Sequence, residues 1–319
     1  NVDELAACLQ RAKLRLEAHE LPGSAKEFFG ASVPMRAVME QLRQAAQHPA
    51  STVLLTGETG AGKDLAARVL HELAYAEAEA PFIAVNCAAL PGEMFESELF
   101  GAERGAYTGA ERKRAGLVAA AAGGTLFLDE IAEVPVGLQA KLLRFLDARE
   151  FRPLGSTESQ RFTGRFVAAT NKHLAAEVKA GRFREDLLYR LDVFAVELPP
   201  LRKRRADIPG LAELLLTQLA KKYERAKPLL KAEDLQALSA HDFPGNVREL
   251  RNVLERSLLR SAPDSRWLAI DLNWLQRAAT PMATVPAPAA PATAPAVASE
   301  PLPAERQLTP IEAQEYRLI

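Results

Sequence analysis

Cysteine and clustered histidine are scarce in this sequence. The 319 residues include two cysteines, Cys8 and Cys87, which cannot form a disulfide framework and have no metal-ligand spacing. The five histidines are scattered, and no two of them have the spacing of a metal site. These absences exclude a disulfide-rich secreted domain and a histidine–cysteine metal centre. They favour a reducing, cytoplasmic location.

An excess of charge and a long hydrophobic run are missing as well. The net charge is −1 at pH 7, whereas a free-standing DNA-binding domain usually has a basic excess. No run approaches the roughly 18 uninterrupted apolar residues of a membrane helix, so we expect no membrane partner. The chain begins with neither Met nor a signal-peptide pattern, and we expect it to be part of a longer protein.

The two ends of the chain differ in composition from the middle. Residues 1–28 are predicted to form a linker helix, because an apolar stripe of heptad type includes Val2, Leu5, Leu9, Ala12 and Leu16. This helix would either pack on its own domain or dimerise. Residues 271–308 are predicted to be a linker, since they are rich in proline and alanine and could bury no core. Thr309 and Pro310 have the pattern of a helix start, so residues 309–319 are predicted to begin a C-terminal domain.

Residues 29–199 are predicted to form an α/β core with a parallel sheet. Short apolar runs bounded by turn residues alternate with helical stretches, at residues 51–56, 82–86, 125–128 and 165–170. This alternation is typical of parallel strands joined by crossover helices. Residues 200–270 have helical periodicity with breaks at Pro209 and Pro244, which predicts a small all-helical domain.

A glycine-rich turn between the first strand and a helical stretch predicts a phosphate-binding loop. The turn consists of Gly57, Glu58, Thr59, Gly60, Ala61, Gly62, Lys63 and Asp64. Its glycines allow backbone N–H groups to converge on phosphate oxygens, and the helix N-terminus adds partial positive charge. Lys63 would contact the β- and γ-phosphates of ATP, and Asp64 stands where Ser or Thr usually contacts Mg²⁺. A glycine turn without this function is the alternative.

Two adjacent carboxylates, Asp129 and Glu130, end the third apolar run. Buried strands rarely contain charges unless these are paired or hold a metal. Asp129 is therefore predicted to hold Mg²⁺. Glu130 is predicted to orient and polarise the water that attacks ATP.

Residues 98–110 combine three helix-breaking glycines, Gly101, Gly105 and Gly109, with one aromatic residue near the tip. Such a loop could present Tyr107 to a partner, and the alternative is a hinge whose tyrosine packs into the core. Together with the two nucleotide motifs, this segment resembles the AAA+ domain of sigma-54-dependent transcriptional activators. The resemblance extends over residues 29–259.

The resemblance implies an ATPase that uses ATP and Mg²⁺ and assembles into a homo-oligomeric ring, hexameric or heptameric, built from dimers if the N-terminal helix pairs. The ring would remodel RNA polymerase holoenzyme carrying sigma-54 and so open promoters. A C-terminal helix-turn-helix domain would bind enhancer DNA, and a receiver domain or a ligand sensor would precede the linker helix. The family loop that contacts sigma-54 is matched by Gly105, Ala106, Tyr107, Thr108, Gly109 and Ala110.

Five further residues match functional positions of the family. Asn86 matches the residue that holds the catalytic glutamate away from water in some states, and Asn171 matches sensor I, near the γ-phosphate. A turn-capping Asn is the alternative for both. Arg184 and Arg190, predicted on one helix, match arginine fingers that reach the ATP of a neighbouring subunit, and solvated arginines are the alternative. Arg248 matches the sensor II arginine, which a helical lid brings to the nucleotide.

The residues around Arg248 provide an argument of their own. Asn246 is predicted to be the N-cap of a helix, with Glu249 as its capping-box partner. A cation in the first turn opposes the helix dipole by roughly a few tenths of a kcal/mol or more. An anionic ligand would compensate this cost.

The sequence departs from the family pattern at several positions. Asp64 replaces a common Glu, Tyr107 a Phe, Ala102 a common His, and Val118 with Ala119 a common Phe-Glu pair. Tyr107 keeps the ring, so we expect its contact to be retained. Two other functions stay open: a AAA+ ATPase of another class that acts on a different protein or on DNA, and an ATP-gated regulator that does not activate sigma-54. The loop argues against the first, and the catalytic glutamate and arginine fingers argue against the second.

Overall fold

A computed structural model describes residue 30 and residues 32–76, 79–106, 113–263 and 265–271. The predicted N-terminal helix, the linker after residue 271 and the predicted start of a C-terminal domain lie outside the described residues. By its internal contacts the chain divides into Asn1–Ala279 and Thr280–Ile319, and every described residue belongs to the first unit.

A parallel sheet of five strands forms the centre of the first unit. The strands are β1 (Val53–Thr56), β2 (Phe82–Asn86), β3 (Thr125–Asp129), β4 (Arg165–Thr170) and β5 (Phe194–Glu197). Their spatial order is β2-β3-β4-β1-β5, and every neighbouring pair is parallel. The predicted parallel sheet is confirmed, and β5 is an additional strand at its edge.

Helices cover both faces of the sheet. Side chains of one strand alternate between the two faces, so each of β1, β3 and β4 contributes to two hydrophobic clusters. Leu54, Leu126 and Phe166 belong to one hydrophobic cluster, whereas Leu55 and Val167 belong to the other. All residues of β4 are buried, as expected for a central parallel strand. The helices of this layer are α1 (Val33–Ala46), α2 (Lys63–Ala74), α3 (Gly92–Phe100), α4 (Leu117–Ala120), α5 (Val136–Ala148), α6 (Leu174–Lys179) and α7 (Glu185–Leu191).

Two short antiparallel ladders lie outside the main sheet. One pairs Gly101–Ala102 with Arg114–Ala115, and the other pairs Glu150–Phe151 with Gln160–Arg161. The two ladders meet, since the N–H of Leu154 donates to the carbonyl of Gly101 at 2.9 Å.

The chain then forms a helical lid, which confirms the predicted all-helical domain. Its helices are α8 (Ile208–Lys222), α9 (Ala232–Ala240) and α10 (Asn246–Arg260), and they enclose a hydrophobic cluster of their own. Pro209 lies in the first turn of α8, where a missing N–H costs nothing, and so it starts a helix. Among the described helices, none is long and apolar enough to cross a membrane.

Candidate active site

The predicted phosphate-binding loop connects β1 to α2 at the carboxyl edge of the sheet. Helix α2 begins at Lys63, directly after Gly62, so its N-terminus opens onto the loop. Gly62 has φ +104° and Gly60 has φ +76°, a region that side chains rarely adopt. A Cβ on Gly60 would also lie 2.3 Å from the carbonyl oxygen of Gly245, so this position must be glycine for the lid to approach.

Lys63 is buried, with 7% of its surface exposed. Its Nζ donates to the carbonyl oxygens of Gly57 at 3.0 Å and Glu58 at 3.3 Å. Burial lowers the pKa of Lys63, and the charges of Glu130 and Asp129 partly oppose this effect.

The two carboxylates follow β3 as predicted. Asp129 is the last residue of the strand, and its Oδ1 accepts the N–H of Glu130 at 3.0 Å. Glu130 has φ +53°, which is uncommon for a residue with a side chain and turns the backbone sharply after the strand. The pair thus lies at the same sheet edge as the phosphate-binding loop.

Two asparagines lie at the ends of the strands that flank β3. Asn171 follows β4, and its Nδ2 donates to Oγ1 of Thr59 in the phosphate-binding loop at 2.8 Å. Asn86 is the register partner of Asp129. Its Oδ1 accepts the N–H of Ala88 at 2.9 Å, which is the turn-capping contact weighed as the alternative. The Nδ2 of Asn86 could donate a hydrogen bond to the carboxylate of Glu130.

The lid brings Arg248 to the phosphate-binding loop. The N–H of Val247 donates to the carbonyl of Gly60 at 3.0 Å, and Cβ of Arg248 lies 3.0 Å from the place that a Cβ on Gly60 would occupy. The charge of Arg248 is among the causes that lower the pKa of Lys63. The sensor II candidate therefore lies beside the same loop as Lys63.

The prediction that Asn246 is the N-cap of α10 is wrong. The cap is Gly245, and Asn246 is the first helical residue, fully buried with φ +53°. Glu249 accepts the N–H of Gly245 at 2.7 Å, so the predicted carboxylate contact forms one residue earlier than expected. The amide of Asn246 instead bonds to Leu201 at the start of the lid and to Glu58.

The two arginine-finger candidates are paired within their own chain. Arg184 precedes α7 rather than lying on it, because its backbone is extended, which corrects the prediction of one helix for both. Its guanidinium donates to Asp186 at 2.6 and 3.0 Å, and 44% of the side chain is exposed. Arg190 pairs with Asp147 at 2.9 Å and donates to the carbonyl of Leu146 at 2.8 Å.

Only the base of the predicted contact loop falls within the described residues. Gly105 has φ +81°, and the N–H of Ala106 donates to the carbonyl of Glu103 at 3.2 Å. Tyr107, Thr108, Gly109 and Ala110 lie outside the described residues.

Two arginines of the lid that no sequence motif marks also contact the phosphate-binding loop. Arg202 bonds to the carboxylate of Glu58, and Arg204 donates to the carbonyl of Ala61 at 2.7 Å. Both belong to the basic run of residues 202–205, which in sequence is no different from a solvated charged segment. Only the burial of Arg204, with 4% exposed, separates it from the rest.

Comparison with known families agrees with this arrangement. The family model of the sigma-54 interaction domain matches residues 28–197, and that of the AAA+ ATPase lid domain matches residues 202–281. The chain belongs to the sigma-54 interaction domain family.

Relatives in this family are regulatory proteins of bacteria. The Nif-specific regulatory protein of Azotobacter vinelandii is 47% identical over 260 residues, which cover 81% of this chain and 49% of the relative. The response regulator protein PilR of Pseudomonas aeruginosa is 46% identical over 241 residues, which cover 76% and 54%. The chain thus spans about half the length of these curated relatives.

Solved structures show the same fold. NtrX from Brucella abortus is 34% identical with a TM-score of 0.69, and the match covers 85% of this chain and 61% of NtrX. NtrX has also been solved in complex with ADP and with ATP, each with a TM-score of 0.68 at 33% identity.

Proposed function

We propose that the chain hydrolyses ATP with Mg²⁺ and uses the reaction to remodel RNA polymerase holoenzyme carrying sigma-54, so that promoters open. The observation that carries the proposal is the approach of Asn171 and Arg248 to the loop that holds Lys63. Membership of the sigma-54 interaction domain family supports the partner. The ATP complex of NtrX supports the nucleotide.

Each residue of the site has a distinct part in the proposed reaction. The backbone of residues 57–62 and Lys63 would bind the phosphates. When ATP binds, the Nζ of Lys63 would donate to phosphate oxygens instead of to the loop carbonyls that it contacts in the structure. Glu130 would orient and polarise the attacking water. Asn171 and Arg248 would contact the γ-phosphate end, and Asn86 would restrain Glu130 between cycles.

Mg²⁺ would neutralise charge on the phosphates and orient them. Asp129 is the residue expected to hold it, with Asp64 of the first turn of α2 as a second carboxylate. Among the described residues, no group of three or more His, Cys, Asp or Glu side chains is gathered around a metal position. A Mg²⁺ ion at a nucleotide typically takes one or two protein carboxylates and completes its shell with phosphates and water.

The ring remains part of the proposal. Arg184 and Arg190 would reach ATP bound to a neighbouring subunit, and both side chains are partly exposed, at 44% and 36%. Each would exchange its present carboxylate partner for phosphate oxygens at the interface. We also propose that the activator works in the cytoplasm and binds enhancer DNA through a C-terminal domain.

The test separates ATP hydrolysis from work on the partner. Binding to purified sigma-54 is measured with ADP and a metal fluoride that mimics the transition state, alongside steady-state ATPase assays. We expect wild type and Tyr107→Phe to form the complex. Thr108→Ala and Tyr107→Ala should lose it and still hydrolyse ATP, because residues 105–110 are the proposed contact and lie apart in sequence from Lys63 and Glu130.

A matched control is Thr217→Ala, which removes the same atoms from an exposed position on α8 of the lid. It should bind sigma-54 as wild type does. Failure of wild type to bind sigma-54 in any nucleotide state would reject the activator function. Hydrolysis without sigma-54 binding would then favour a AAA+ ATPase of another class.

A further inference from the structure

The lid bonds to four consecutive residues of the phosphate-binding loop. The side chain of Glu58 and the carbonyl oxygens of the next three residues all accept from lid donors. The carbonyl bonds are Asn246 Nδ2 to Thr59 at 3.1 Å, Val247 N to Gly60 at 3.0 Å and Arg204 Nη2 to Ala61 at 2.7 Å. The loop that would hold the phosphates is therefore bonded to the lid at each of residues 58–61.

Glu58 provides the one contact of this set in which both partners are charged. Its two carboxylate oxygens accept from the two terminal nitrogens of Arg202 at 2.6 and 2.8 Å, which is a bidentate pair. Oε2 also accepts from Nδ2 of Asn246 at 3.1 Å. The hydrogen bond from Arg202 is the largest cause that lowers the pKa of Glu58 to about 2. The carboxylate is thus ionised at any physiological pH.

Asn246 connects this ion pair to the predicted nucleotide contact. Its Oδ1 accepts the N–H of Leu201 at 2.7 Å, while its Nδ2 bonds to the phosphate-binding loop, so both ends of the amide are used. The residue is fully buried, and Arg248 follows two positions later on the same first turn of α10. The position of Arg248 relative to Gly60 therefore depends on the contacts of Asn246 and Glu58.

A carboxylate in a phosphate-binding loop would by itself disfavour ATP, because like charges repel in a partly desolvated site. The bidentate pair with Arg202 removes this conflict. Arg202 neutralises the charge of Glu58, and the same ion pair holds the lid against the loop.

We infer that Glu58 is a positioning residue that aligns Arg248 with the nucleotide by clamping Arg202 and Asn246 of the lid to the phosphate-binding loop. Arg202 has the second role of neutralising Glu58 beside the phosphates. This inference rests on the proposed ATPase function. It concerns nucleotide affinity, whereas the residues proposed for the chemistry are Asp129, which ends β3 of the core, and Glu130, which follows that strand.

The experiment measures the Kd for ATP by titration, and the steady-state KM and kcat, in the same full chain. Glu58→Gln removes the charge at nearly constant shape, and we expect Kd and KM to rise roughly five-fold while kcat changes less than about two-fold. Arg202→Met should raise Kd more, roughly ten-fold, because it leaves an unpaired carboxylate near the phosphates. The double variant should bind ATP better than Arg202→Met alone, since it removes that carboxylate as well.

A control variant, the salt dependence of binding and thermal unfolding distinguish this role from general damage to the fold. Glu213→Gln changes the same residue type in an exposed lid ion pair with Lys227, and it should leave Kd, KM and kcat unchanged. The ratio of variant to wild-type Kd for Glu58→Gln should shrink as salt is raised, because the pair is partly exposed and therefore screened. Thermal unfolding of every variant checks that the chain is folded.

The inference is overturned if Glu58→Gln binds ATP as tightly as wild type, or if the double variant is weaker than Arg202→Met alone. These outcomes leave the ATPase assignment intact, since wild type still binds and hydrolyses ATP. Absence of ATP binding by wild type would overturn the proposed function and this inference with it.

Discussion

Asp129 and Glu130 are neighbours in the chain but have different surroundings. Asp129 ends a strand, and one of its oxygens is held by the following N–H. Glu130 lies on a left-handed turn at the start of a short helix and interacts electrostatically with Lys63. Backbone strain of this kind is often retained where function requires one side-chain position. We therefore expect the two carboxylates to fail in different ways when they are changed.

Glu130→Gln should bind ATP with nearly the affinity of wild type and lose almost all turnover. The substitution removes the group proposed to activate water, with an expected loss of roughly 10² to 10⁴ in rate, and keeps the shape of the side chain. Lys63→Ala should instead weaken binding itself, because it deletes the buried cation of the phosphate site. Titration with ATP and steady-state phosphate release measure the two effects separately. Equal turnover in wild type and Glu130→Gln would remove Glu130 from the catalytic role.

At the level of elements, Arg165, the first residue of β4, connects this strand to the end of α1. Its guanidinium donates to the carbonyl oxygens of Ala45 at 2.9 Å and Ala46 at 3.0 Å, and the side chain is fully buried. Burial lowers the pKa of this arginine. A cation at the C-terminus of a helix satisfies carbonyls that have no partner within the helix.

Arg165→Met should reduce the free energy of unfolding by roughly 2–3 kcal/mol, because it leaves two helix-end carbonyls without their donors in a buried place. Denaturant unfolding followed by circular dichroism measures the change. Arg43→Met is the matched control, since Arg43 is exposed on the same helix and its pair with Glu40 is loose at 3.8 Å. That control should lie within about 0.5 kcal/mol of wild type. Similar losses in both variants would contradict a special role for Arg165.

Much of this element structure could be predicted from local pattern, and the failures have physical causes. Continuous apolar runs identified four strands, of which β1, β3 and β4 are central and largely buried, as expected for parallel strands covered on both faces, and β2 lies at the other edge. The edge strand β5 alternates between buried and exposed residues and is short, so it did not stand out. Asn246 has the residue type of an N-cap, but its contacts with Leu201 and Glu58 override the local preference.

The sequence predicted which core residues would lie together at the candidate site, but it predicted fewer of the lid residues that contact them. Lys63, Asp129 and Glu130 belong to contiguous motifs whose neighbours in sequence are their neighbours in the fold. Arg202 and Arg204 reach the loop across more than 140 positions of sequence, so no local pattern marks them. Contacts of this kind depend on how the lid packs, which the sequence does not display locally.

At the scale of the whole molecule, the proposed arginine fingers, Arg184 and Arg190, lead to a test of assembly. Arg184→Ala and Lys63→Ala subunits should each be inactive when pure, and mixing them should restore part of the ATPase activity. Some interfaces would then join an intact finger to an intact phosphate-binding loop, and a finger contributes roughly 10³ to 10⁵ in rate in related NTPases.

Activity is measured across mixing ratios, in rings shown by pull-down of differently tagged subunits to contain both variants. A mixture of Arg184→Ala with wild type serves as the control for simple dilution. If mixed rings are never more active than the pure Arg184→Ala and Lys63→Ala proteins, the site is completed within one chain.

The joint between Leu154 and Gly101 has a consequence for how domains of this kind can be recombined. The hairpin around Gly155 touches the base of the loop, and a Cβ on Gly155 would lie 3.0 Å from the Cβ of Ala106. The intervening chain contains β3 and α5, so loop and hairpin are separate in sequence and joined in space. In a chimaera of two related domains, a junction between the loop and the hairpin would combine the loop of one protein with the contacting hairpin of the other. The natural unit of exchange therefore extends from the loop through the hairpin.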